Sequence, residues 1–243
     1  MSESNIRYSS EIPNSDRLIF ALDVPNTDTA RQLVTELGDA VTFYKLGLEL
    51  CMSGGYFELL DWMVQQDKRI FVDLKFFDVP ATVASAVRNL RDRGVTYATI
   101  HGNQSIMEAA GEAKGDVKIL AVTALTSLDR GDLDDLGFQC DIDKLVLSRA
   151  RRSLEAGCDG VIASGLEVDA LRQAVDDRLL VITPGIRPVE NRPDDDQKRV
   201  VTVEDAFRKG ADHIVVGRPI KNAEDPRTAA LAIQETISSV FGA

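Results

Sequence analysis

The chain has 243 residues, 44% hydrophobic and 28% charged, a composition that excludes a disordered or collagen-like polypeptide. Its length suits either a single α/β barrel of ~250 residues or two small domains, and it buries enough surface to need no disulfide or metal for its core. The formal net charge of −11, from 28 basic and 39 acidic residues, argues against general binding to nucleic acid or to an anionic membrane.

Residues 1–16 are polar and lack the apolar core of a secretory signal, so they are expected to form a terminal segment that is poorly ordered or wrapped on the surface. From residue 17 onward, short apolar runs alternate with helical patterns. The first run, 18–24 (LIFALDV), carries Asp23 at its end, and the second, 41–48 (VTFYKLGL), carries Lys45 inside it. The third, 69–76 (RIFVDLKF), ends in Asp73 and Lys75, with Asp78 three residues further on. Pro80 then opens a helix over 80–93 that has Val83, Val87 and Leu90 on one face and Gly94 as its stop. Run four, 96–102, ends near His101, and run five is 117–125. A helix over 144–156 follows, with Leu147, Ala150 and Leu154 on one stripe and Gly157 as terminator. Runs six and seven are 160–165 and 179–185. Run eight, 213–218, ends in Gly217-Arg218, and Asp225-Pro226 then starts the last helix.

Most runs are continuously apolar rather than alternating, which means burial on both faces and hence parallel strands. Eight strand-then-helix units without a break predict a (β/α)₈ barrel forming one domain over residues 17–243, with a doubly wound sheet as the alternative. The longest intervals follow strands five and seven, on the face where barrels of this kind carry their sites. The loop 186–200 (IRPVENRPDDDQKRV) reads as a polar lid. No run reaches the ~18 residues of a membrane span. Three cysteines without CxxC spacing argue against a disulfide framework or a cysteine zinc site and for a reducing cytoplasm.

Charges inside apolar strands are costly, so Asp23, Lys45, Asp73, Lys75 and His101 mark the candidate site. Residues i and i+2 of a strand share a face, so Asp73 and Lys75 both point into the barrel mouth beside Lys45. The competing reading is a buried ion-pair network that only fills the barrel. For Asp78, two residues before Pro80, the competing reading is a helix cap. Gly217-Arg218 after strand eight and Gly185-Ile186-Arg187 after strand seven suit a phosphate, unless the arginines are ordinary surface residues behind turn glycines. His213, at the opposite end of strand eight, reads as structural. Ser164 has no obvious base partner, since no histidine except His101 lies at a nearby strand end, and Asp194, Asp195 and Asp196 read as a solvated acidic loop rather than a metal site. There is no HExxH, Walker or GxGxxG motif.

The segment 71–80, FVDLKFFDVP, resembles the D-x-K-x-x-D signature of the orotidine 5′-monophosphate decarboxylase family. The likeness extends through Leu22-Asp23-Val24, Tyr44-Lys45-Leu46-Gly47, Leu125-Thr126-Ser127, Thr183-Pro184-Gly185-Ile186-Arg187, Asp196-Gln197-Lys198-Arg199 and Val216-Gly217-Arg218-Pro219. It implies a decarboxylase of orotidine 5′-monophosphate that needs no cofactor and no metal. Lys75 is then the proton donor to C6 of the pyrimidine and Asp73 faces the substrate carboxylate. Asp23 and Lys45 bind ribose hydroxyls, and Lys45 also completes the charge array. Thr126 binds the pyrimidine edge. Pro184 lies against the ligand, and Arg187, Gln197, Gly217 and Arg218 hold the phosphate. The resemblance also implies a homodimer with shared sites, to which Asp78 and Thr82 come from the partner chain, and a His101 that lines the site without reacting. Two other readings stay open. One is a Mg²⁺-dependent sugar-phosphate decarboxylase or aldolase of the same superfamily, whose relatives place an acidic metal ligand on strand two, where this chain has Lys45. The other is a non-catalytic phosphate-binding barrel, which would not require Lys75.

Overall fold

The computed structural model of the chain describes residues 11–187 and 200–242. Eight parallel strands form a closed barrel in sequence order: β1 (Leu18–Ala21), β2 (Phe43–Leu46), β3 (Arg69–Phe76), β4 (Val95–His101), β5 (Lys118–Val122), β6 (Gly160–Ile162), β7 (Leu180–Thr183) and β8 (His213–Val216). β8 pairs back onto β1, with Ile19 opposite Val215. Closure rules out the doubly wound alternative and places β3 directly across the barrel from β7. The crossovers are α1 (Thr27–Leu37), α2 (Leu48–Met52), α3 (Tyr56–Gln65), α4 (Pro80–Arg88), α5 (Gln104–Ala113), α6 (Arg130–Asp135), α7 (Ile142–Glu155), α8 (Val168–Ala174), α9 (Val203–Arg208), α10 (Arg218–Lys221) and α11 (Pro226–Phe241). Among the described residues no helix is long and apolar enough to cross a membrane.

The continuous apolar runs have their expected cause. Alternate residues of each strand face two separate cores. Ile19, Phe43, Phe71, Tyr97, Leu120, Ile162, Ile182 and Val215 fill the barrel interior, while Leu18, Phe20, Tyr44, Val72, Ala98 and Ile214 pack outward under the helices. The hydrogen-bonded ladders stop earlier than the apolar runs. Leu22, Val24 and Ala124 lie beyond their strands and are still buried, so burial outlasts strand geometry at the C-terminal end of the barrel. The helix expected over 80–93 ends at Arg88, because Asp92 and Gly94 adopt left-handed backbone and turn the chain into β4.

Of the expected terminal segment, residues 11–16 lie among the described residues. Asn14–Asp16 form a 3₁₀ turn under the barrel, where buried Asp16 pairs with Arg69 at 3.0 Å and accepts from Thr42 at 2.9 Å. His213 seals this floor, as its place at the start of β8 implied. Its Nδ1 lies 2.8 Å from the carbonyl of Asp16, so it donates there, and Nε2 accepts from the Tyr97 hydroxyl at 2.9 Å. Burial pushes the imidazole pKa down to about 4. The unfolded chain protonates this residue near pH 6.5, so the stabilisation is complete above that pH and is lost as pH falls through about 4, amounting to ~3 kcal/mol. Urea unfolding of wild type and His213→Asn at fixed protein concentration should therefore give stabilities that converge between pH 7 and 4.5. Parallel curves would remove His213 from the acid response.

Candidate active site

A cavity of about 490 Å³ opens at the C-terminal mouth of the barrel, where Asp23, Lys45, Asp73 and Lys75 line one wall. These four form a chain of alternating sign. Lys45 Nζ lies 3.0 Å from Asp23 Oδ1 and 3.5 Å from Asp73 Oδ2, and Lys75 Nζ lies 2.8 Å from the same Asp73 oxygen. Burial opposes the charge on Lys45, but Asp73 and then Asp23 outweigh it and raise its pKa above the ordinary lysine value. Burial likewise opposes the Asp73 carboxylate, yet Lys45 and Lys75 hold its pKa below the usual range. Gly47 leaves room for the array: a Cβ there would stand 3.0 Å from Asp23 Oδ1 and 3.1 Å from Lys45 Nζ.

β3 reaches the site through an irregularity. Val72 pairs with Ala98 and Phe76 with Ile100, so four steps along β3 match two along β4. Within this bulge Lys75 adopts a left-handed φ of 47°, a conformation costing a side-chain-bearing residue roughly 1–2 kcal/mol. The strain sits at the residue that carries the terminal ammonium of the array.

The part of the mouth formed after β7 and β8 is cationic. Arg187 and Arg218 line the cavity with Gly185, Gly217 and Lys221. Gly185 takes a φ of 77°, which glycine adopts without strain, between β7 and Arg187. The stem of the loop after β7 is fixed by a bridge between Ile186 and Val201, with Arg187 N–H donating to Val201 O at 3.0 Å. Lys221, not recognised from sequence, donates to the backbone carbonyl of Asp23 at 2.7 Å and ties α10 to the end of β1. Its sequence signal was its place three residues past Arg218 on one helical turn. Thr126 and Pro184 also line the cavity.

Other expected residues lie elsewhere. Asp78 and Thr82 are exposed and absent from the cavity wall, and Asp78 Oδ1 accepts from the adjacent Val79 N–H at 2.6 Å. The helix-cap reading of Asp78 is not what forms, since Val79 occupies the cap position of α4 without a side-chain cap bond. His101 is not on the cavity wall either. It stacks on Phe77 with ring centroids 4.5 Å apart, and burial, then Arg149 and Lys75, lower its pKa. Ser164 is buried and accepts from the Leu166 N–H, a turn role. Gln197 and the acidic residues Asp194, Asp195 and Asp196 lie outside the described residues, as does most of the expected lid. Among the described residues no group of three His, Cys, Asp or Glu side chains is placed to hold a metal ion.

The sequence and fold both have relatives. The profile of the Orotidine 5'-phosphate decarboxylase / HUMPS family matches residues 16–233. A protein of Methylococcus capsulatus named orotidine 5'-phosphate decarboxylase is 64% identical over 239 residues, 98% of this chain and 99% of that one. Another so named, from Stenotrophomonas maltophilia, is 50% identical over 95% of this chain and 96% of its own. The crystal structure of the Lactobacillus acidophilus orotidine 5'-phosphate decarboxylase superposes with a TM-score of 0.82 at 33% identity, covering 91% of this chain and 99% of that chain. With this coverage and this barrel, the chain belongs to the orotidine 5'-phosphate decarboxylase family.

Proposed function

We propose that this protein decarboxylates orotidine 5′-monophosphate to uridine 5′-monophosphate and CO₂, the last step of de novo UMP synthesis, without cofactor or metal. The observation that carries the reading is the Asp23–Lys45–Asp73–Lys75 array lining the same cavity as Arg187 and Arg218. The breaking C6–CO₂ bond leaves its electron pair in the plane of the ring, where the π system cannot delocalise it. A fixed ammonium in a dry site is what stabilises such a charge. Lys75 supplies that ammonium and then transfers its Nζ proton to C6. The resulting amine is reprotonated from water, so one proton is consumed for each CO₂ released. Asp73 orients Lys75 and faces the departing carboxylate, while Asp23 and Lys45 take the ribose hydroxyls. Thr126 and Pro184 meet the pyrimidine, and Arg187, Gln197, Gly217 and Arg218 hold the phosphate. The phosphate lies far from C6, so its binding energy is available to organise the site.

Lys45 also bears on the metal-dependent alternative. It sits on strand two between the two carboxylates and occupies with an ammonium the place where a cation would need acidic ligands. We take the catalytic unit as one barrel, residues 17–243, in a cytoplasmic homodimer that binds neither nucleic acid nor membrane. Phe77 and Val79 are 65% and 63% exposed on either side of Asp78, and this apolar flank favours a two-fold contact that delivers Asp78 and Thr82 to the partner's site.

The test is the ultraviolet absorbance of orotidine 5′-monophosphate over time, with and without EDTA. Loss of absorbance unaffected by chelation is expected. A chelation-sensitive loss restored by Mg²⁺ would overturn the metal-free reading, and no turnover would favour the sugar-phosphate enzyme or a binding barrel. Arg218→Ala should lower kcat/KM roughly 10- to 150-fold, the contribution of one charge-assisted fork. The nucleoside orotidine, which lacks the phosphate, should be handled about equally by wild type and variant. An equal loss on both substrates would show that Arg218 is not a phosphate ligand.

A further inference from the structure

We propose that Thr99 is a positioning residue that locks the Asp73–Lys75 pair into its reactive arrangement through a two-way hydrogen bond across the β3–β4 bulge. The inference rests on the proposed roles of Asp73 and Lys75. Thr99 lies on the inward face of β4 between Tyr97 and His101, and it is fully buried. Its hydroxyl donates to Asp73 Oδ1 at 2.8 Å and accepts from the Lys75 backbone N–H at 3.0 Å.

The bulge explains why such a group is needed. Between Val72 and Phe76 the regular β3–β4 pairing is interrupted, so the Lys75 N–H has no ladder carbonyl opposite it. A buried N–H without a partner is costly, and Lys75 already occupies left-handed backbone. The Thr99 hydroxyl satisfies that N–H and directs its own proton to the carboxylate, so one side chain fixes both the backbone of the proton donor and the rotamer of its counter-ion. The two bonds polarise each other in the same direction, N–H to O–H to carboxylate. Asp73 Oδ1 is thereby held by Thr99, while Oδ2 is left for Lys75 and Lys45. Threonine suits the place because its branched side chain fits a strand and its hydroxyl both donates and accepts.

Two substitutions separate this role from packing. Thr99→Val keeps the shape and removes the hydroxyl, and Thr99→Ser keeps the hydroxyl and removes a methyl. In Thr99→Val, kcat for orotidine 5′-monophosphate should fall roughly 10- to 100-fold with KM changed less than about 3-fold, because two hydrogen bonds on a charged pair are lost away from the substrate. Thr99→Ser should stay within about 3-fold of wild type. Amide hydrogen exchange, followed by NMR on ¹⁵N-labelled protein, should quicken at least ~10-fold at Lys75 in the valine variant and return towards wild type in the serine variant. This second readout does not depend on turnover. A wild type that releases no CO₂ would refute the proposed function, while the exchange measurement would still decide the clamp. Unchanged Lys75 exchange in Thr99→Val, or equal kcat losses in the valine and serine variants, would overturn the proposal.

Discussion

Replacing Lys75 by alanine is expected to abolish measurable decarboxylation while the protein still binds the product nucleotide. In the proposed mechanism the ammonium does two things, stabilising the charge that develops at C6 and delivering the proton. Removing one preorganised donor typically costs ~10²–10³ in rate, and removing a general acid ~10²–10⁴, so a combined loss of at least ~10⁴-fold in kcat is expected. Folding should survive. Lys75 Nζ pairs only with Asp73 among the described ion pairs, and Lys45 at 3.5 Å stays to balance that carboxylate. Alanine at φ 47° is strained much as lysine is, so the backbone term nearly cancels in the comparison. Uridine 5′-monophosphate should bind within about 10-fold of wild type, since the groups placed at its phosphate and ribose are untouched. A residual rate within 100-fold of wild type, in a variant shown to be folded, would move the proton donor to another group.

The barrel was legible because its strands are buried on two faces. Runs such as 18–22 (LIFAL) are apolar without alternation, as parallel strands between two cores require. Their C-terminal ends were less legible. Leu22, Val24 and Ala124 are as buried as strand residues although the ladder has ended, and hydropathy does not distinguish the two cases. The short helices α2, α6 and α10 are too brief to show a period.

Within the site, Asp23, Lys45, Asp73 and Lys75 stood out because a charge within an apolar run is rare, and strand periodicity placed Asp73 and Lys75 on one face. Thr99 did not stand out, because threonine is an ordinary strand residue. Its importance comes from a register shift between β3 and β4, which no local pattern encodes. His101 carried a strong sequence signal yet stacks on Phe77 beside the cavity, at the same exposed edge as Asp78.

That edge is where the second large effect is expected. Lys75→Ala and Asp78→Asn homodimers should each be severely impaired, the second because the Lys75 ammonium, one-third exposed in the single chain and enclosed by the proposed dimer, loses a partner, at a cost of ~3–5 kcal/mol once it is enclosed. Within one chain Asp78 is exposed, bonds the neighbouring Val79 N–H and lies off the cavity wall, so its carboxylate is free to project away from its own barrel. Phe77 and Val79 beside it offer apolar surface for a two-fold contact. In such a dimer each site combines Lys75 of one chain with Asp78 of the other. Mixing the two inactive proteins and allowing subunit exchange then yields hybrids with one site intact and one doubly altered. Random assembly makes about half the dimers hybrids, and with one working site each they return roughly a quarter of wild-type activity. If Asp78 instead served its own chain, each hybrid would hold two singly damaged sites and mixing would restore nothing. No recovery, with exchange verified by mass-tagged subunits, would confine Asp78 to its bond with Val79.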